Sequence, residues 1–89
     1  MVIMPSNRKN KRFVAFFSDG RRIHFGFKGG QTYIDHGDKI KRENYIKRHQ
    51  KNEDWTKVNA GSLSRFLLWG NTTDLKKNHQ EYIEIFKTN

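Results

Sequence analysis

Phe13-Val14-Ala15-Phe16-Phe17-Ser18-Asp19-Gly20-Arg21-Arg22-Ile23-His24-Phe25-Gly26-Phe27 is the stretch that decides the fold. Phe13 to Phe17 is a short run rich in β-formers, Ser18 to Arg21 carries the Asp-Gly signature of a tight turn, and Arg22 to Phe27 returns as a second strand. Alternation on the return strand places Ile23, Phe25 and Phe27 on one side and Arg22, His24 and Gly26 on the other. One face is core; the other meets solvent or a partner.

Before the hairpin, Pro5 to Asn10 is polar and without period, so residues 1–10 read as a flexible basic arm and residues 11–89 as a single domain. After it, Lys28-Gly29-Gly30 breaks the strand, and Gln31-Thr32-Tyr33-Ile34 reads as a third extended segment. Asp38 is a good N-cap for a helix over Lys39 to Gln50, whose apolar stripe holds only Tyr45 and Ile46 between Arg42 and His49. Asn52 to Asn59 reads as a loop anchored by Trp55. A second helix over Ala60 to Trp69 carries Leu63, Phe66 and Leu67 and stops at Gly70. A third opens at Asn71 or Thr72 and runs to Phe86, with Leu75, His79, Tyr82, Ile83 and Phe86 on one face. Strands first and helices afterwards predict an α+β domain: a small antiparallel sheet of about three strands followed by about three helices packed on one side. Phe13 or Phe17, Phe25, Leu63, Phe66, Leu67, Tyr82, Ile83 and Phe86 are expected to meet in one core.

Composition bounds the function. The 89 residues include 18 Lys plus Arg against 9 Asp plus Glu, no cysteine, and 7 Phe, 3 Tyr and 2 Trp. Twelve aromatic rings, each able to bury about 150 to 250 Å², argue for a folded domain despite the low mean hydropathy. Without cysteine there are no disulfides, no thiol nucleophile and no thiolate zinc site, which favours an intracellular setting. Met1 to Pro5 is too short an apolar run for a signal peptide, and no later run reaches the ~18 apolar residues of a membrane helix, so no membrane insertion is expected.

The charge is unevenly distributed. Residues 1–51 carry 13 Lys or Arg against 4 Asp or Glu, a net +9, whereas residues 52–89 carry 5 of each. Segregation of this kind points to an anionic partner, nucleic acid first. The candidate anion-binding residues are Arg8, Lys9, Arg12, Arg21 and Arg22 with Lys39, Lys41, Arg42, Lys47, Arg48 and Lys51 of the basic helix, a set large enough to touch several phosphates. The sequence has no aromatic RNA-binding motif, zinc finger or helix-turn-helix, so no sequence-specific readout is implied. The bland alternative for each cluster is a solvated lysine face.

Catalytic signals are weaker. Asp35, His36 and Asp38, joined by His24, could hold a divalent ion for phosphodiester cleavage, but Asp38 has a simpler task as a helix cap and the spacing matches no trusted metal motif. Gly26 to Gly30 lacks the order of a phosphate-binding loop, and Ser62 and Ser64 lack a nucleophile elbow. No catalytic residue, metal or cofactor is assigned, and a metal-dependent nuclease stands third among the readings.

His24-Phe25-Gly26, Gly29 to His36, Arg42 to His49, Asn52-Glu53 and Ala60 to Gly70 together resemble a family of small uncharacterised proteins encoded by giant and algal viruses, the nucleocytoplasmic large DNA viruses. The resemblance spans Lys11 to Phe86. It implies a context: a virion protein made in the host cytoplasm during infection, serving as a minor capsid, core or genome-packaging component beside other viral structural proteins. Tyr45, Trp55, Arg65 and Trp69 are the residue types that dominate protein interfaces, and with His49, which flanks a helix face too narrow to be core alone, they are the candidates for such contacts. The preferred expectation is a non-enzymatic virion-associated structural or binding protein, with binding of DNA or RNA through the basic half as the alternative.

Overall fold

The hairpin forms where the sequence places it, with β2 over Lys11–Phe16 and β3 over Arg22–Phe27 paired antiparallel about the Asp19-Gly20 turn. The computed structural model describes residues 1–88. Phe13 faces Phe25 and Ala15 faces Ile23 across the ladder, and these four line the core side of the sheet. The third strand is not the predicted one. It is β1, Val2–Pro5, which pairs antiparallel with β2 and sets Ile3 opposite Ala15. The expected arm over residues 1–10 is therefore corrected: its first half is an edge strand, and the ladder continues through the Ser6 N–H donating to the Arg12 carbonyl at 3.0 Å. Val2, Ile3 and Met4 suit a strand, and Pro5 is tolerated because the edge needs no N–H from it.

Residues 31–34 are corrected in turn. Tyr33–His36 is a single helical turn, α1, and not a strand. The Asp35 carboxylate accepts from the Thr32 N–H at 2.9 Å and from its hydroxyl at 2.8 Å, and Gly37, at φ 65°, closes the turn in the left-handed region. The capping chemistry outweighs the β propensity of Thr-Tyr-Ile.

Asp38 caps α2, Lys39–Gln50, by accepting from the Ile40 and Lys41 N–H groups. The predicted second helix divides into α3, Ala60–Leu63, and a wider π-helical turn over Ser64–Leu68 in which the Trp69 N–H reaches back to the Ser64 carbonyl. The last helix, α4, spans Leu75–Phe86 and starts later than expected because Asp74, not Asn71 or Thr72, is its cap. Residues 52–59 form the loop the sequence implies.

The helices cover one face of the sheet, giving the predicted α+β architecture. Phe17, Phe25, Leu63, Leu67 and Tyr82 are buried together, with Phe13, Phe66, Ile83 and Phe86 packed against them, so the predicted core assembles. Two buried polar residues hold it. Ser62 Oγ is 2.8 Å from the Tyr82 hydroxyl, and Asn78, fully buried on α4, donates to the Leu67 and Thr72 carbonyls and accepts from the Thr72 N–H and hydroxyl. Gly70 has no room for a side chain: a Cβ there would sit 2.2 Å from the Phe66 carbonyl and 2.9 Å from the Asn78 amide. Phe27 departs from the alternation. It is 66% exposed, because the backbone turns at Gly26, whose φ of 77° takes the end of β3 out of regular strand geometry.

Candidate nucleic-acid interface

The helix α2 has two faces with different tasks. Arg42, Tyr45, Ile46 and His49 turn inward, whereas Lys41, Asn44, Lys47, Arg48 and Lys51 are exposed on another side. The inward face is an aromatic and hydrogen-bonded knot. Tyr45 lies flat on Trp69, with ring centroids 4.4 Å apart and planes 6° from parallel, and His49 stacks on Tyr45 at 4.1 Å. His49 Nδ1 donates to the Glu53 carboxylate, which also accepts from the Trp55 indole N–H at 2.9 Å. The Arg65 guanidinium lies 5.3 Å from the Trp55 ring and donates to the Trp69 carbonyl at 2.8 Å. Burial pulls Arg65 below its ordinary value, with the neighbouring Arg42 adding to the effect, and burial pushes the Tyr45 phenol up.

All five residues expected at a protein interface thus join one network. Tyr45 and Trp69 are buried in it, and the network ties the 52–59 loop and α2 to the end of the π-turn. Their polar and aromatic mixture serves the fold: a carbonyl-rich helix end is capped by two guanidinium groups, as the helix dipole favours.

The cations divide in the same way. Arg12 is bound bidentately by Asp35, at 2.7 Å for each bond, and Arg21 by Asp19 at 2.8 Å. Arg42 donates to the Gly70 and Trp69 carbonyls and to the Asn71 side chain. These three, read from the sequence as candidate anion contacts, are occupied within the fold. Arg8 and Lys9 are exposed in the turn before β2, and Arg22 is exposed beside Phe16 on the uncovered side of the sheet. Lys39, Lys41, Lys47, Arg48 and Lys51 are exposed on or just after α2, and among the described residues none of the five lies within 4.0 Å of a carboxylate.

Lys41, Lys47 and Arg48 border an open depression of about 570 Å³ together with Asn44, Gln31, His36 and Trp69. No Asp or Glu lines it. His36 Nδ1 accepts from the Asp38 N–H at 2.8 Å, so the neutral ring carries its proton on Nε2, a buried atom with no hydrogen-bond partner. Across Gln31 and Trp69 lies a second cleft of about 480 Å³, walled by Phe25, Phe27, Tyr45 and Trp69. Sequence reading missed Phe27, Gln31, His36 and Asn44 as lining residues. Phe27 obeys the inward alternation until Gly26 redirects it, and the other three become neighbours only when α1 folds against α2.

The nuclease constellation does not assemble. Asp35 is spent on Arg12 and Thr32, Asp38 on the start of α2, and His24 Nδ1 lies 2.7 Å from Ser6 Oγ on the uncovered side of the sheet. Among the described residues no group of three or more His, Asp or Glu side chains is placed to hold a metal ion. Nor is any helix there long and apolar enough to cross a membrane.

Fold and site together define a small basic α+β protein with a row of free cations beside an aromatic cleft. The chain belongs to a family of unknown function, DUF5754, whose model matches residues 1–49. The matched part contains the sheet, α1 and α2 as far as His49. No curated protein and no solved structure matches the chain.

Proposed function

We propose that this protein is a non-enzymatic nucleic-acid-binding protein that holds phosphates on the exposed face of α2. The observation that carries this reading is the row of Lys41, Lys47 and Arg48 around one depression, exposed, without a carboxylate partner among the described residues and backed by a net +9 in residues 1–51. The engagement of Asp35 by Arg12 and of Asp38 by the start of α2 favours binding over cleavage, and the burial of Tyr45 and Trp69 favours the anion-binding reading over the protein-interface one. Fluorescence anisotropy with labelled DNA and RNA at two salt concentrations tests it. Affinity in the range of roughly 10⁻⁴ to 10⁻⁶ M, falling steeply as salt rises, is expected. The double charge reversal K47E/R48E flattens the salt dependence by about one unit per phosphate contact removed. Absence of binding at about 50 mM salt, well below physiological screening, overturns the proposal.

The setting implied by the viral resemblance, a virion component made in the host cytoplasm, fits this activity as a core or genome-packaging role. A second reading, a minor capsid piece that contacts other viral structural proteins, is favoured by Val2 and Met4, which are 56% and 51% exposed on the edge strand β1. Light scattering of the protein with and without nucleic acid separates the two: association that needs no nucleic acid supports the second.

A further inference from the structure

The two depressions that meet at Gln31 and Trp69 differ in chemistry in the way the two parts of a nucleotide differ. Resting on the nucleic-acid reading above and narrowing it, we propose that the ligand is a single strand, with a phosphate in the basic depression beside Lys47 and Arg48 and an unpaired base against Phe27 in the adjoining cleft. The basic side offers three exposed cations, and none of its lining residues is acidic. An anion with several acceptor oxygens is its complement.

The cleft side offers the exposed ring of Phe27 and space. Gly26 and Gly30 line it and put no side chain into it, and its volume of about 480 Å³ lies in the range of small-molecule sites. Its carboxylate, Glu53, is already engaged by His49 and Trp55, so it presents little free negative charge to a strand. Phe27 is the informative residue. A phenyl ring 66% exposed at the rim forgoes the burial that stabilises phenyl rings elsewhere in this small core. The main chain that carries it is fixed by the Gly30 N–H, which donates to the Phe27 carbonyl at 3.1 Å. Exposed Lys11 is its partner across the ladder and exposed Lys28 follows it in the chain. An aromatic ring between two exposed cations is the arrangement on which bases stack while the backbone is neutralised. In a duplex the base faces are covered by their neighbours, so only an unpaired or extruded base can use such a ring.

The test compares one labelled sequence as single-stranded DNA, single-stranded RNA and blunt duplex against wild type, Phe27→Ala, Phe27→Trp and K47E/R48E, with circular dichroism melts of each variant. Single strands are expected to bind at least about fivefold tighter than duplex, and Phe27→Ala to weaken them by roughly 5- to 100-fold with duplex binding unchanged. Phe27→Trp restores single-strand binding, and its fluorescence is quenched by the strand. Phe27 is exposed, so melting temperatures are expected to stay close to wild type. Unchanged single-strand affinity in Phe27→Ala, or tighter binding of duplex, overturns this inference. If K47E/R48E still weakens all three ligands in that case, the broader nucleic-acid reading stands; no binding of any ligand overturns both.

Discussion

The Arg12 guanidinium grips the Asp35 carboxylate through two bonds of 2.7 Å, fastening the turn before α2 to strand β2. Asp35 has a second task there, closing the start of α1 by accepting from Thr32. Arg12 first, and the Thr32 groups after it, hold the Asp35 carboxyl well below the usual carboxylate range against the opposing effect of burial. A folded-state pKa below the unfolded value of about 3.8 means that the stabilisation is complete above that pH and is lost as pH falls below it. Melting temperature is therefore expected to drop on acidification from about pH 5 to about pH 2. Asp35→Asn should flatten that stretch of the profile and cost about 1 to 2 kcal/mol at neutral pH, a modest figure because water reaches the pair. An equal acid dependence in the variant counts against the assignment.

Asn78 supplies the internal polar joint between α4 and the π-turn. Its amide satisfies two carbonyls and its oxygen accepts two donors, and Asn78 itself has no solvent exposure. Asn78→Asp removes both donors and sets a carboxylate against the Leu67 and Thr72 carbonyls, while Asn78→Leu takes their partner from the Leu67 and Thr72 carbonyls and the Thr72 N–H, the Thr72 hydroxyl keeping its bonds to Asp74. Each is expected to destabilise by about 2 to 4 kcal/mol in urea denaturation, because buried polar groups lose water without replacement. A loss below about 1 kcal/mol would show that the joint rearranges around the new side chain.

How far the sequence reveals this molecule depends on how local the deciding interaction is. The hairpin, the Asp38 cap of α2 and the end of the second helix near Gly70 rest on adjacent residues, and they are legible. The strand β1 is not: four residues at an edge show no alternation, and only pairing with β2 makes them a strand. Thr32 to Ile34 carries β-forming side chains, yet the reciprocal Thr32–Asp35 contact and the Arg12 fork make it a helical turn. The basic half is visible as charge, but which cations are free is decided by distant partners, Asp35 for Arg12 and the Gly70 carbonyl for Arg42. The same holds for Asn78, which looks like an ordinary polar helix residue until the π-turn is placed beside it.

Phe66 tests the part of the core made by α4. Its ring lies 6.3 Å from that of Tyr82 and 5.9 Å from that of Phe86, and Tyr82 and Phe86 are themselves 4.4 Å apart. Phe66 is only partly buried, so Phe66→Ala is expected near the lower end of the phenylalanine range, about 3 kcal/mol. That is a large share of the stability available to a domain of this size. Thermal unfolding followed by far-ultraviolet circular dichroism reads it directly. A variant that melts with wild-type cooperativity and midpoint would mean that Phe66 serves a partner surface instead.

His24 links the uncovered side of the sheet to pH. Ser6 Oγ accepts from the Arg8 N–H at 3.0 Å and lies 2.7 Å from His24 Nδ1, where its hydroxyl can donate to the neutral ring. Partial burial lowers the His24 pKa first, and the charges of Arg8 on the preceding turn, Arg22 on β3 and Lys11 on β2 lower it further. Long-range proton–nitrogen spectra should place its titration below 6.5, and Arg22→Ala should move it upward. Because the folded-state pKa is depressed, the contribution of His24 to stability is complete above about 6.5 and is lost as pH falls through the folded-state pKa. Phosphates that approach Arg8, Lys11 or Arg22 would offset the same charges and raise the midpoint in the complex. By reciprocity, affinity then rises as pH falls through this range. A midpoint at or above 6.5 in the free protein would contradict the electrostatic account. A midpoint that does not move on adding a saturating oligonucleotide would confine nucleic-acid contact to the α2 side of the molecule.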